Sequence, residues 1–291
     1  MANYTLTHSL TNLSHGNVSF TVVPDTGYAL PSTVSVSNGT LVSYDSTTGV
    51  IVVSGDNAEI TVDCQSAIVI DPVLENNSWD VIKQVCQAGN AGDYWALGDT
   101  KTVTGSDSQA RTVRIDDMSG LYSKHVVFSF LNRTETSEVW DADNVNSYAN
   151  SDVKTAIDAG GSIFSVFVDS ALAAQLTNTT VQVAAGGNDG TLVSVTGKMF
   201  LPAEREIFAS RTYSRTEEWD ALTQYAYYST VDTSADARKR YKASTPTTAG
   251  GWWLRSPSSG DTNGVCYVSN NGGANHINAY YIHGVAPCFA F

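Results

Sequence analysis

The sequence predicts an α+β, β-rich protein, and three observations carry that reading. Asp, Glu, Lys and Arg together make up only 15% of the 291 residues, against about a quarter in ordinary soluble domains. Ser, Thr, Asn and Gly take their place, and the first three compete for backbone hydrogen bonds, which suits strands and turns better than helix interiors. The apolar residues, 42% of the chain, fall largely into short alternating runs separated by turn-forming residues. A chain of this length buries roughly three quarters of its unfolded surface, so a packed core is expected.

From the N-terminus, residues 19–23, 33–36 and 60–63 alternate polar and apolar side chains, which directs one row inward and the other to solvent. Asn38-Gly39 and Thr48-Gly49 lie between such runs and tolerate positive φ. Short strands at this spacing predict a small β-sandwich over residues 1–66. Residues 67–70 read as a further strand. Asn77 or Ser78 then caps a helix whose Trp79, Ile82, Val85 and Cys86 share one face, with Gly89 as its stop. Further helices are predicted over 151–157, ended by Gly160-Gly161, over 170–176, and over 203–209 behind Pro202. Strands are predicted over 112–115, 126–130 and 163–168, and a hairpin joins 181–183 to 192–195 through Gly186-Gly187-Asn188-Asp189-Gly190.

Charge and cysteine content exclude several functions. A net charge of −13 opposes a sequence-independent grip on phosphate backbones, which needs clustered Lys and Arg. It also opposes adhesion to anionic membranes. No basic segment followed by an apolar run marks a secretory signal at the N-terminus, and no run reaches the ~18 apolar residues of a membrane span. Cys64, Cys86, Cys266 and Cys288 are scattered, so buried free thiols are expected, a Cys266–Cys288 bridge being the alternative. His276 and His283 lack the close pair of ligands that a structural zinc site normally contains, and no metal or cofactor is expected. Gly186–Gly190 lacks the Lys-Ser/Thr of a phosphate loop, and Asn132-Arg133-Thr134 is a sequon expected by chance in so Asn- and Ser-rich a chain.

The last forty residues hold the most specific pattern. Trp252-Trp253-Leu254-Arg255-Ser256-Pro257 is followed by Gly264-Val265-Cys266-Tyr267-Val268, by Asn270-Asn271-Gly272-Gly273, and by Gly284-Val285-Ala286-Pro287-Cys288-Phe289. Adjacent tryptophans on a strand point to opposite faces, so one can anchor the core while the other lines a surface; framework is the preferred reading of both, with Trp253 kept as the surface candidate. Trp252 and Arg255 read as framework, with Arg255 bracing loops or pairing with a carboxylate such as Asp261. Between these pieces lie Asp261, Asn263, Tyr267, Ser269, Asn271, Asn275, His276, Asn278, Tyr280, Tyr281 and His283. Tyr offers large contact area at low entropic cost, and Asn and Ser offer adaptable hydrogen bonds, the composition of antibody binding loops. A catalytic pocket would instead converge on a few fixed charged groups. These eleven residues and Trp253 are therefore the candidate ligand-binding set.

Two resemblances extend this reading. Gly27-Tyr28-Ala29-Leu30-Pro31, Val34-Ser35-Val36, Tyr44-Asp45, Thr48-Gly49-Val50-Ile51 and Ile60-Thr61-Val62 resemble a bacterial immunoglobulin-like module common in phage structural proteins, which implies a spacer or adhesive decoration. The C-terminal motifs, together with Tyr94-Trp95-Ala96-Leu97-Gly98-Asp99-Thr100-Lys101 and Lys198-Met199-Phe200-Leu201-Pro202-Ala203-Glu204-Arg205-Glu206, resemble C-type-lectin-like domains of gut bacteria and their phages, related in fold to formylglycine-generating enzymes. That resemblance implies a lectin-like domain over 67–291. In its relatives the C-terminal segment is diversified by retroelements acting at adenines, which implies that the residues just named vary. Ala286 departs from the pattern, which has Arg before the final proline.

The resemblance implies a non-enzymatic binding protein that displays these side chains to a protein or glycan receptor on a bacterial surface. It would sit on a virion tail or cell surface, with a homo-oligomer as one arrangement. The alternative is an oxidoreductase related to formylglycine-generating enzymes, which hold copper through a cysteine pair; here that pair would be Cys266 and Cys288.

Overall fold

The computed structural model describes residues 4–8, 16–25, 28–55, 59–62, 64–66 and 68–291. Gly27, Asp63 and Ala67, which belong to the expected strand motifs, lie outside the described residues. The protein is α+β and β-rich, with 21% helix and 35% strand, and it divides into two compact units, Met1–Ile70 and Asp71–Phe291.

The first unit is built from antiparallel strands. Tyr4–His8, Val18–Pro24, Val50–Ser54 and Thr40–Tyr44 form a four-stranded sheet in that spatial order. Two short pairs, Ser35–Ser37 with Glu59–Thr61 and Tyr28–Ala29 with Gln65–Ser66, complete it. Val22, Ile51, Val53, Val62 and Cys64 make its core, with Phe20, Leu30 and Tyr44 packed against them. Both turn sites behave as their residues require. Asn38 takes a φ of 54° and Gly49 one of 75°; a Cβ on Gly49 would overlap the Val22 carbonyl oxygen.

The strand expected at 67–70 is absent from the described residues 68–70, where Val69 is 82% exposed. Its apolar run has no neighbouring strand to bury it.

In the second unit the helix Trp79–Gln87 starts at Ser78, whose Oγ accepts from the Val81 N–H at 3.3 Å, and Gly89 beyond its end has φ 75°. Trp79, Ile82, Val85 and Cys86 are its buried face. The helices Asp152–Ile157 and Ser170–Gln175 are capped by Ser151 and Asp169. The fourth predicted helix is a single turn, Glu204–Ile207, and Pro202 lies before its cap rather than within it.

Residues 163–168, expected as a strand, instead contain the helical turn Phe164–Phe167. Ile163 and Phe167 are buried four residues apart, and Phe167 meets Phe130 edge-on at 4.8 Å. Helical spacing therefore buries this apolar run better than alternation does.

Four strands, Cys288–Ala290, Val127–Phe130, Ala110–Asp117 and Thr100–Thr104, form an antiparallel sheet in that order. Phe128 and Phe289 stack across it at 5.1 Å, and Trp79 closes on Phe289 at 5.8 Å. Thr179–Gly186 and Asp189–Gly197 form the expected hairpin. Trp252–Pro257, Gly264–Val268 and Ala274–Asn278 form a three-stranded antiparallel sheet, and Ile282–His283 pairs with Glu138–Val139. Asn132–Arg133 lies parallel to Arg240–Lys242, with Ala249–Gly250 on the far side of the latter.

Candidate functional site

The framework residues sit deeper than alternation suggests. Trp252 and Trp253 are 1% and 0% exposed, which corrects the expectation that Trp253 lines a surface. Each indole N–H finds a backbone acceptor at 2.9 Å, Arg238 O for Trp252 and Glu138 O for Trp253. The sheet bearing them is covered on both sides, and Trp253 lies under the rings of Tyr267 and His283 at 6.0 and 4.7 Å.

Arg255 is also fully buried, and its carboxylate is Glu206, not Asp261. The guanidinium grips both Glu206 oxygens and donates to the carbonyls of Gln182 at 3.1 Å and Leu201 at 2.8 Å. Glu206 also accepts from the hydroxyls of Tyr122 and Tyr225. Glu218 lies nearby, taking the Ala184 N–H at 2.9 Å and the Ser256 hydroxyl. Burial pushes its carboxyl up to about 7, against the pull of Arg255. This network ties the hairpin, the Glu204–Ile207 turn and the Trp252–Pro257 strand together.

The eleven candidate residues divide by role. Asp261 Oδ1 accepts from the N–H groups of Asn263 and Gly264, fixing the turn between two strands. Asn263 Nδ2 donates to Asn144 O at 2.6 Å. Ser269 and Asn271 close the next turn, through Ser269 Oγ to Gly273 O at 2.9 Å and Gly273 N–H to Asn271 Oδ1 at 3.0 Å. Asn275 Oδ1 accepts the His276 N–H at 2.8 Å. The first four of these side chains hold loop backbone, and Asn275 holds the backbone of its own strand.

The rest are available as contact groups, in three places. The sheet register pairs Trp253, Tyr267 and Asn275 on one face and Cys266 with His276 on the other. Alternation therefore separates Tyr267 from His276 and Asn278. On the first face Tyr267 stacks on His283 at 4.1 Å. On the second, His276 leans on Tyr213 at 4.6 Å, with Nδ1 3.2 Å from Ser258 Oγ and 3.5 Å from Asp261 Oδ2. Beyond Asn278, whose carbonyl accepts the Tyr281 N–H, Tyr280 and Tyr281 stack at 4.5 Å. Tyr280, Tyr281 and Ile282 are 45%, 44% and 60% exposed.

Burial, then the charge of Arg133, pushes the His283 imidazole down to about 4. Its neutral form is the folded form at ordinary pH. The resulting stability is present above the ordinary value of 6.5 and is lost as pH falls towards 4.

Cys266 and Cys288, like Cys64 and Cys86, are free and buried. Burial pushes the Cys266 thiol well up and the Cys288 thiol to about 12, so neither is thiolate at neutral pH. Among the described residues no group of three or more His, Cys, Asp or Glu side chains converges as metal ligands, and no helix is long and apolar enough to cross a membrane.

Several residues at the site carry no local motif. Asn144, at φ 59°, holds both Asn263 and the Tyr280 N–H. Asn146 Nδ2 donates to Gly264 O at 3.0 Å. Tyr213 and Arg133 reach the surface from distant segments, and only the fold brings them there. A cavity of about 400 Å³ opens where Tyr122 and Glu206 meet Gln182 and Leu222.

Residues 121–291, more than half of the chain, match the family described as "Domain of unknown function (DUF6273)". The chain belongs to this family. Its matched segment holds the Arg255–Glu206 network, the three-stranded sheet and every candidate contact residue. No curated protein and no solved structure matches the chain.

Proposed function

We propose that the chain is a non-enzymatic receptor-binding or adhesion protein, carried on a virion tail or a cell surface, whose partner is a protein or glycan receptor on a bacterial cell. In this reading the first unit is an immunoglobulin-like spacer and the second a C-type-lectin-like binder diversified by a retroelement. The observation that carries it is a separation of roles within forty residues. Trp252, Trp253 and Arg255 are buried with their polar atoms engaged by the protein, while Tyr280, Tyr281 and Ile282 stand exposed on backbone fixed elsewhere. Rigid aromatic groups on a fixed frame lose little entropy on binding, which favours recognition. Exposed apolar residues in one contiguous stretch are typical of interaction sites. The support is also selective: Asp261, Asn263, Ser269 and Asn271 shape the loops and Asn275 is engaged by its own strand's backbone, so contact falls to Tyr267, His276, Asn278, Tyr280, Tyr281 and His283.

Fluorescently labelled protein should bind cells of a subset of a panel of bacterial strains, measured by flow cytometry. The Tyr280→Ala/Tyr281→Ala variant should lose at least tenfold in apparent affinity, since buried aromatic anchors each contribute roughly 2 kcal/mol or more at interfaces. Its thermal midpoint should stay within a few degrees of the parent. Equal binding by parent and variant across the panel rules out this surface.

A further inference from the structure

Four arginines of the second unit lie deep in the protein, and the described residues account for each. Arg111 pairs with Asp107, Arg114 with Asp116 and Arg255 with Glu206, while Arg240 donates to Tyr228 Oη and to the carbonyls of Ala237 and Lys239. Arg133 differs. It is half-buried, and among the described residues its guanidinium donates to no acceptor and forms no ion pair; its Nε is shielded and unpartnered, as are those of Arg111 and Arg240, but those two arginines have acceptors on their terminal nitrogens and Arg133 has none. The carboxylate acting on it, Glu135, is already taken by the N–H and hydroxyl of Ser244. Glu138, opposite His283 in the register, accepts from Thr136 Oγ1 at 2.7 Å.

A second orphan lies beside it. His283 Nε2 is shielded from solvent without a partner. The two side chains meet consecutive glycines: a Cβ on Gly250 would fall 2.5 Å from Arg133 Nε, and one on Gly251 would fall 2.7 Å from His283 Nδ1. Gly284 gives the same clearance to the Arg133 stem, where a Cβ would fall 2.5 Å from Cδ. Three positions without side chains thus leave room for a guanidinium and an imidazole at one place. Tyr267, stacked on His283, forms the adjoining wall. Lys242 is the register partner of Arg133 and adds positive charge in a chain of net charge −13.

We propose that Arg133 and His283 form a subsite for a carboxylate group of the bound ligand. Arg133 Nε and His283 Nε2 are closed off, so the ligand would meet the two terminal nitrogens of Arg133, whose planar fork matches a carboxylate in two parallel hydrogen bonds. One guanidinium beside a neutral imidazole suits a monoanion. A dianion would need more positive charge against the negative field of the whole chain. Neutral His283 carries one N–H, which on Nδ1 supplies a further donor. As part of the receptor surface this subsite rests on the proposed function, but its chemistry is testable alone.

The probe is sodium acetate, titrated into the full chain at pH 7 and fixed ionic strength, with the imidazole signals of His283 followed by NMR. Saturable shifts are expected in the parent and should be lost in Arg133→Gln and in Gly250→Ala, which keeps the charge but displaces the guanidinium. Unchanged shifts elsewhere in the spectra of both variants confirm that they fold. Absence of saturation in the parent, or the same shifts in Arg133→Gln, overturns the subsite, and tighter saturation by sulfate overturns its carboxylate selectivity. The Tyr280→Ala/Tyr281→Ala variant should bind acetate as the parent does. Loss of acetate binding in Arg133→Gln with cell binding absent from every strain would therefore count against the receptor reading and for the subsite.

Discussion

Glu218 shows how far a residue's surroundings can move its chemistry. Its carboxyl is fully buried, and burial outweighs the nearby guanidinium of Arg255, so its folded value stands at about 7 against an ordinary 4.5. A carboxyl whose folded value is raised stabilises the fold most below the unfolded value, and that contribution disappears as pH rises through the folded value. The window is therefore about pH 4.5 to 7. At roughly 1.4 kcal/mol per unit the loss is on the order of 3 kcal/mol. Glu218→Gln keeps the hydrogen-bonding shape without the titration. The stability difference between parent and variant, from urea unfolding at pH 5 and pH 8.5, should shift by about 3 kcal/mol in favour of the variant at the higher pH. A difference that stays constant across that range would show that Glu218 is not neutral in the folded protein at low pH. Arg255 was legible as framework because a lone arginine beside two tryptophans has few roles. Its partner was not legible, because Glu206 lies 49 positions away in sequence and Asp261 only six.

At the scale of elements, what could be read depended on whether the signal was local. Ser78 and the glycines at positive φ act through atoms within a few residues, so that cap and those turns followed from residue type, whereas the Asp169 cap, equally local, is a finding of the structure. The run at 163–168 went the other way, because only packing against Phe130 distinguishes a helical turn from a strand. The same limit governs the candidate site. The observed register puts Tyr267 and His276 on opposite faces, and nothing in the sequence says so or says that His283 meets the first and Tyr213 the second. Gly272 tests the turn that aligns these strands. It has φ 84°, and a Cβ there would overlap the Ala235 carbonyl oxygen. Gly272→Ala should destabilise by about 1–3 kcal/mol through backbone strain. Gly260→Ala, where the nearest atom to a Cβ is Ser258 Oγ at 3.7 Å, should stay within about 0.5 kcal/mol of the parent. Comparable losses in the two would mean that the turn conformation is not what Gly272 supplies.

For the molecule as a whole, the end of the chain closes the second unit. Cys288–Ala290 occupies the edge of the four-stranded sheet, Phe289 and Phe291 join Trp79 and Phe128 in one aromatic cluster, and the Phe291 carbonyl accepts from the N–H groups of His125 and Val126. Cys288 also exchanges backbone hydrogen bonds with Phe200. Two buried phenylalanines contribute roughly 1.5–3 kcal/mol each by burial alone, and the lost pairing leaves the Val127–Phe130 strand with unmatched buried N–H and C=O groups at further cost. Against a typical stability of about 5–15 kcal/mol, removing residues 288–291 should leave the unit without a cooperative fold. All six tryptophans lie between Trp79 and Trp253, so tryptophan emission reports this unit and not the first. The truncated chain should show red-shifted emission and no sigmoidal urea transition, where the full chain shows a single one. A cooperative tryptophan transition that survives the deletion would mean that the core is complete without its terminal strand.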